Sequence, residues 1–316
     1  MIESNDSGLL AAVDARTRLA GSNCMEILLF SLGTREIFGI NVFKVREVSR
    51  TPMITRAPNM PGGVEGLISL RGNVIPVLSL ARILQLDGVP GGLGGSMMVT
   101  EYSKRTLGFL VHEVDRIIRV DWDRVRSPEA NSGGPVLKSF ITAITELADG
   151  KLVSILDVES ILAATFGEAP VGDVDAIEAE REPNVFFVDD SAVARKKIAE
   201  VLDKLGVRHK HALNGQEAWT RLAGMATHAQ QAGRPMTDEL DLIMVDAEMP
   251  EMDGYVLTRN IKQDPRFEGI PVVMHSSLSS EANRTMGRSV GVDAYVAKFD
   301  AGVLAETLRP MLARSQ

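Results

Sequence analysis

The apolar positions of this chain fall into two textures that change near residue 184. From Cys24 to about Leu162 they form short runs broken by turn residues: EILLFSL (26–32), EIFGINV (36–42), NVIPVLSL (73–80), SMMVTEY (96–102), TLGFLVHEV (106–114) and KLVSILDV (151–158). Runs of this length at close spacing predict an all-β region, a sandwich or a barrel. Pro76 lies inside one run and has no N–H for a sheet ladder, which predicts an edge strand or a bulge there. The region also echoes itself. FGINVFKVREV (38–48) is similar to LGFLVHEVDRI (107–117), aligning Gly39 with Gly108, Val42 with Val111 and Val45 with Val114. GNVIPVLSL (72–80) is similar to GKLVSILDV (150–158), in the same order along the chain. Two similar small β units are expected, with room for a groove between them.

Residues 167–183, GEAPVGDVDAIEAEREP, are acidic and lack apolar periodicity, so they read as a linker, flexible or partly helical. From Asn184 onward apolar strands alternate with helical stretches. VFFVDD (185–190) precedes a helix carrying Ile198, Val201, Leu202 and Leu205 and closed by Gly206. RHKHAL (208–213) is a second strand with a turn at Asn214-Gly215, and a longer helix follows from Gln216 with Trp219 and Leu222 inward. LDLIMVD (240–246), VVMHS (272–276) and AYVAK (294–298) supply three more strands, with helices beginning near Tyr255, Ser280 and Ala301. Five β/α repeats predict a parallel sheet covered on both faces. Residues 6–20, DSGLLAAVDARTRLA, read as a short amphipathic helix with Leu9, Leu10, Val13 and Leu19 as its apolar members. The expected division is 1–22 lead-in, 23–166 β domain, 167–183 acidic linker and 184–316 α/β domain.

Composition narrows the setting. The 316 residues are 45% hydrophobic, enough for ordinary cores. No apolar run approaches the roughly 18 residues of a membrane span, so no direct membrane insertion is expected. The start MIESNDSGLL lacks the basic-then-apolar layout of a signal peptide. One cysteine, Cys24, excludes an intramolecular disulfide or a cysteine metal cage. These features point to the cytoplasm. A net charge of −8 argues against a nucleic-acid binder, which normally carries a basic face. The five histidines, 112, 209, 211, 228 and 275, show no metal-ligand spacing.

The chemistry lies in Leu240–Gly254, LDLIMVDAEMPEMDG, where a buried-strand run ends in Asp246. Open α/β sheets place ligands at such strand ends. Asp189 and Asp190 end the neighbouring first strand, and like charges about 4 Å apart repel by roughly 4 kcal/mol at a surface-like dielectric. The cluster therefore needs a shared proton or a cation, and hard, oxygen-seeking Mg²⁺ is the natural one. With the charge neutralised, the Asp246 carboxylate is a candidate nucleophile toward phosphorus. Ser276 and Lys298, at the ends of the fourth and fifth strands, are placed to donate to phosphoryl oxygens.

FFVDDS (186–191), IMVDAEMPEMDG (243–254), PVVMHSS (271–277) and DAYVAK (293–298) resemble response-regulator receiver domains, which have a flavodoxin-like, doubly wound five-stranded sheet. The resemblance implies that Asp189, Asp190, Asp246 and the backbone carbonyl of Glu248 bind the metal, and that Asp246 is phosphorylated. Ser276 would then move toward the phosphoryl group and Tyr295 turn inward with it. The family usually has proline after the lysine in a cis peptide. Here Phe299 follows Lys298, so a trans or a strained bond is expected.

ILLFSLGTREIFGINVFKVREV (27–48), GLISLRGNVIPVLSL (66–80), VHEVDRIIRV (111–120) and LVSILDV (152–158) resemble the CheW family of chemotaxis coupling proteins. That family is built of two SH3-like five-stranded barrels and bridges chemoreceptor cytoplasmic tips to a histidine kinase. The combination with a receiver is similar to the CheV family. It implies an adaptor at membrane-associated receptor arrays, tuned by phosphorylation of Asp246 as adaptation or as a phosphate sink, and no enzyme beyond self-phosphorylation and slow autodephosphorylation. Arg71 and Val45 are the implied receptor-facing residues, although a solvated loop arginine and a core valine fit the same positions. The chain ends at Gln316 after its last predicted helix, so the regulated output is expected upstream. Competing readings are a Mg²⁺-dependent aspartate-nucleophile phosphohydrolase, an orphan receiver with another β-domain partner, and a transcriptional regulator. The first conflicts with the adjacent Asp189-Asp190, since that class spaces its acids two residues apart on the first strand. The last conflicts with the acidic balance.

Overall fold

The computed structural model describes residues 24–86, 95–102, 105–126, 140–167, 171–172, 174–179, 181–277, 281–298 and 300–313. The expected helix at 6–20 and the Lys298–Phe299 peptide lie outside the described residues. The chain folds as two compact units. Among the described residues no helix is long and apolar enough to cross a membrane.

The β domain runs through β1 (Cys24–Ser31), β2 (Ile37–Asn41), β3 (Val45–Arg50), β4 (Val64–Leu70), β5 (Asn73–Ser79) and the short α1 (Leu80–Ile83). It continues with β6 (Ser96–Tyr102), β7 (Arg105–Val111), β8 (Glu113–Asp121), β9 (Ile141–Glu146), β10 (Leu152–Leu156) and α2 (Val158–Phe166). These strands make two five-stranded sheets, ordered β8-β1-β2-β10-β9 and β3-β6-β7-β5-β4. The orders are equivalent position by position as they stand, β1 to β5 of the first half matching β6 to β10 of the second. Each sheet joins the first two strands of one half to the last three of the other, so that β3 flanks β6 and β8 flanks β1. Ion pairs join each of these two pairs of strands, Arg46–Glu101 at 3.0 Å and Arg119–Glu26 at 3.2 Å.

The sequence echo is the imprint of this repeat. Gly39 of β2 lies opposite Ile155 of β10, and Gly108 of β7 lies opposite Val77 of β5, both in parallel register. Each sheet also closes on itself through one further bridge. Thr55, after β3, pairs with Leu67 of β4, and Arg126, after β8, pairs with Ile144 of β9. Each closed unit has its own core. One contains Ile27, Leu29, Trp122, Val125, Val153 and Ile155; the other contains Ile68, Ile75, Val77, Met97, Val99 and Leu110.

Pro76 corrects the edge-strand expectation. β5 is an inner strand, between β7 and β4. Pro76 pairs with Leu67 of β4, whereas pairing with β7 starts only at Val77. Proline is tolerated because the strand has a single ladder at that residue and gains its second one residue later.

The α/β domain consists of β11 (Asn184–Val188), α3 (Ala192–Lys204), β12 (Arg208–Ala212), α4 (Gly215–Gln231) and β13 (Leu242–Val245). It ends with α5 (Gly254–Gln263), β14 (Val272–Ser276), α6 (Glu281–Ser289), β15 (Ala294–Ala297) and α7 (Ala301–Leu312). The strands are all parallel in the order β12-β11-β13-β14-β15, the doubly wound arrangement expected. β13 and β14 are buried at every position, as central strands covered on both faces must be. Asn214-Gly215 is not a turn that closes β12. Asn214 caps α4, its side chain accepting from the Glu217 N–H at 2.7 Å. Gly215 is required by proximity, since a Cβ there would lie 2.2 Å from the Met252 carbonyl oxygen.

The linker also differs from the expectation of a loose or helical segment. Its described residues form neither helix nor strand, and from Gly172 it belongs with the α/β domain. The Ile177 N–H donates to the Leu205 carbonyl at 2.9 Å. Arg181 pairs with the buried Asp241, whose other oxygen accepts the Asn184 N–H at 2.7 Å.

The two equivalent glycines of the β domain should respond unequally to alanine. A Cβ at Gly39 would lie 2.5 Å from Ile27 Cγ2 and 3.1 Å from Val153 Cγ1, both branched core side chains. A Cβ at Gly108 would meet the Met97 sulfur at 2.7 Å, the adaptable part of a flexible chain. Gly39→Ala is expected to destabilise by about 1–3 kcal/mol in denaturant unfolding, and Gly108→Ala by less.

Candidate functional site

The carboxyl ends of β11, β13, β14 and β15 bring five of the expected side chains to one edge of the sheet. Asp189 and Asp190 follow β11 directly, Asp246 follows β13, Ser276 is the last residue of β14, and Lys298 follows β15. Parallel pairing sets these positions: the Asp246 N–H donates to the Val188 carbonyl at 3.0 Å, and the Lys298 N–H to the Ser276 carbonyl at 2.9 Å. The Lys298 ammonium lies 2.8 Å from Asp246 Oδ2 and 2.9 Å from Asp189 Oδ2. All three side chains are buried. A buried ammonium is stable only with its charge matched, and here one cation is shared between two carboxylates. Ligand atoms of Asp189 and Asp190 lie within 4.8 Å of each other. With Asp246 they form a set of hard oxygen donors that fits a small divalent cation.

The loop after Asp246 is shaped by specific contacts at its far end. Asp253 caps α5, accepting from the Val256 N–H at 2.7 Å. Gly254 packs directly beneath the Asp246 backbone, where a Cβ would lie 1.9 Å from the Asp246 carbonyl oxygen. The Gly254 N–H donates to the Ala247 carbonyl at 3.0 Å. An Asp-Gly pair at the head of a helical pattern is therefore both a cap and a close-approach signal.

Glu248 lies two residues beyond Asp246 in this loop, and its carboxylate bears on a pair of tyrosines. Tyr255, at the start of α5, and Tyr295, in β15, share an apolar cluster with Ala247, Met274 and Val290. Burial pushes the Tyr295 hydroxyl up to about 12, with Ser276 and Tyr255 opposing as hydrogen-bonding neighbours and the Glu248 and Asp246 charges adding to the rise. Tyr255 is pushed up further, first by burial and then by Tyr295 and Glu248. Tyr295 is partly buried against this cluster, with the Arg284 guanidinium 5.5 Å from the centre of its ring.

The remaining two expected residues lie in the β domain. Leu70 and Asn73 pair across a two-residue turn in which both Arg71 (φ 51°) and Gly72 (φ 84°) are left-handed. That is the tight hairpin whose twist suits antiparallel strands, and it projects Arg71 from the tip. The Arg71 guanidinium pairs with Glu47 of β3, joining the hairpin to the opposite edge of its own sheet. Val45, two residues before Glu47, is buried and pairs with Thr100 of β6.

Comparison with known proteins agrees with both halves. Residues 26–166 match the family described as CheW-like domain, and residues 185–309 match the Response regulator receiver domain. The chain is 31% identical over 283 residues to chemotaxis protein CheV3 of Helicobacter pylori, covering 88% of this chain and 89% of that one. It is 29% identical over 325 residues to chemotaxis protein CheV1 of the same organism, covering 96% and 98%. Among solved structures it resembles the scaffolding protein TtCheW of Thermoanaerobacter tengcongensis, with 27% identity, a TM-score of 0.41, and coverage of 46% of this chain and 90% of that one. These modules define a chemotaxis coupling adaptor that carries a receiver domain. The chain belongs to the CheV family of chemotaxis proteins.

The Asp253 carboxyl is raised above its ordinary value, chiefly by burial, with the Val256 and Tyr255 N–H groups and Arg259 opposing. A raised acid binds protons more tightly folded than unfolded. Its contribution to stability is complete below the unfolded value and is lost as pH climbs through the folded one. Asp253→Asn keeps the cap without the buried charge, so its stability should gain on wild type as pH rises above about 4. Asp253→Ala should lose about 1 kcal/mol. Thermal unfolding of the three proteins between pH 4 and 8 checks both outcomes.

Proposed function

We propose that this protein is a cytoplasmic adaptor that couples chemoreceptor tips to a chemotaxis histidine kinase, and that phosphorylation of Asp246 tunes the coupling. One observation carries the regulatory half: the Asp246 carboxylate stands at a strand end, 2.8 Å from a buried lysine and beside two further aspartates. Membership of the CheV family supports the coupling half.

In this reading Asp189, Asp190 and Asp246, with the Glu248 carbonyl, would hold Mg²⁺, which would supply neutralisation of charge on an incoming phosphoryl group. An Asp246 oxygen attacks the phosphorus of a phosphohistidine on the kinase. The O–P bond forms as the N–P bond breaks, and the imidazole nitrogen leaves with the electron pair and takes up a proton. Lys298 then exchanges its contact with Asp246 Oδ2 for a phosphoryl oxygen, and the Ser276 hydroxyl donates to another. Tyr295 follows Ser276, so a local change in charge alters the face formed by α6 and β15.

In the β domain, Arg71 is the receptor-facing residue of this proposal. Its long cation is held at a hairpin tip, and a left-handed non-glycine residue costs roughly 1–2 kcal/mol, which selection for stability alone would remove. Val45 is buried, so its part is to shape β3 beneath that tip.

Full-length protein incubated with Mg²⁺ and phosphoramidate should gain one phosphoryl group by mass spectrometry. Asp246→Asn, or removal of Mg²⁺ by chelator, should abolish the gain. In co-sedimentation with a receptor cytoplasmic fragment and its kinase, wild type should enter the pellet and Arg71→Ala should be reduced several-fold. Failure of wild type to co-sediment would remove the coupling role and leave a receiver with another output.

A further inference from the structure

The acidic linker is gripped largely by its backbone carbonyls, with the Arg181 side chain as an anchor at its far end. Arg309, in the last turn of α7, donates from Nη2 to the Asp175 carbonyl at 2.7 Å and from Nη1 to the Ala176 carbonyl at 3.1 Å. The next amide, Ile177, donates to the Leu205 carbonyl. Lys204, at the end of α3, reaches the Gly172 carbonyl at 3.2 Å. Arg181 fixes the far end, through Asp241 and the Thr237 carbonyl. A segment of this composition has too little apolar area to order itself, so these cations supply its order. Arg309 is central among them because its two nitrogens take two successive carbonyls, a forked geometry that lysine cannot reproduce.

The other end of α7 is anchored at the phosphoryl site. Lys298, held between Asp246 and Asp189, lies three residues before Ala301, the first residue of the helix. Asp300 caps α7, accepting from the Val303 N–H at 3.1 Å. Leu304, Ala305, Leu308 and Leu312 are buried along one face, so the helix moves as a body. Twelve residues span about 18 Å. Pro310 lies in the last turn, where its missing N–H weakens the helical ladder beside Arg309, and the Ala313 N–H closes the end on the Arg309 carbonyl at 2.9 Å.

We propose that α7 is a lever, and that Arg309 transmits the state of Asp246 to the linker by tightening or releasing its hold on Asp175 and Ala176. The inference rests on the reading of Asp246 as a phosphoacceptor. When Lys298 gives up its contact with Asp246, Lys298 and the Asp300 cap shift, α7 shifts with them, and the Arg309 fork moves relative to the carbonyls it holds. The linker is thereby an output element of the receiver and not a passive tether. Coupling is reciprocal, so loosening the fork also changes how strongly a phosphoryl analogue is held.

The test is amide hydrogen exchange on the full-length protein, with and without Mg²⁺ and beryllofluoride, comparing wild type, Arg309→Ala and Arg309→Lys. Beryllofluoride is expected to change exchange both in the 246–253 loop and at Ile177 in wild type. In Arg309→Ala the loop response should persist while the Ile177 response disappears, Ile177 should exchange at least about tenfold faster without the analogue, and Arg309→Lys should fall between. Beryllofluoride affinity should differ between wild type and Arg309→Ala by about fivefold or more, in the range of ordinary allosteric coupling. A loop response without a linker response in wild type overturns the lever and leaves the phosphoacceptor reading intact. An equal linker response in Arg309→Ala overturns the role of the fork. No response even in the 246–253 loop removes the phosphoacceptor reading, and the lever with it.

Discussion

A single buried ammonium sets the terms for the receiver half. Lys298 lies between Asp246 and Asp189 at under 3 Å from each, and all three side chains are buried. An unmatched charge at that depth would cost several kcal/mol, so the strand ends must hold register for the cluster to exist at all. The same constraint makes the site responsive. Whatever adds negative charge to Asp246 alters the pairing that balances the cluster, and Lys298 is the group able to answer it. Ser276 and Tyr295 lie on the adjacent strands β14 and β15, and α7 begins three residues after Lys298.

In the β domain the corresponding constraint is the sharing of strands between the two halves. Each sheet combines two strands of one half with three of the other, so β1 and β2 meet β8, β9 and β10 only after the chain has passed through the whole of the other sheet. Two small barrels of this size would each bury little apolar area alone, and the chain of one interrupts the other. Within the uninterrupted sheet Glu47 of β3 lies opposite the β4–β5 hairpin that carries Arg71. The exposed cation is thus tied across its own sheet, from one edge to the other.

Much of this was legible in the sequence because it is local. Period-two and buried-run patterns gave the strands, the 3.6-residue pattern gave the helices, and the alternation of the two gave a parallel sheet. The aspartates of VFFVDD and LDLIMVD had to lie at the carboxyl ends of their strands, where such sheets bind ligands. The alignment of Gly39 with Gly108 marked the repeat, whose two close approaches the structure then displays. The short-range signals misread were those with two meanings. Asn214-Gly215 and Asp253-Gly254 carry the residues of turns, yet both are helix caps whose glycines are dictated by a carbonyl two strands or one loop away.

What only the tertiary structure decided is pairing between distant segments. No pattern in β3 or β8 announces that each joins the other half, because an alternating strand fits either edge equally well. Pro76 could not be placed until β7 was seen to join β5 one residue later. The linker was unreadable for a similar reason: its order comes from Arg309, more than a hundred residues downstream, acting on backbone carbonyls that every sequence possesses. The sequence by itself determined the elements and the chemistry at their ends. The fold determined which elements meet, since that choice rests on interactions between residues that no local pattern connects.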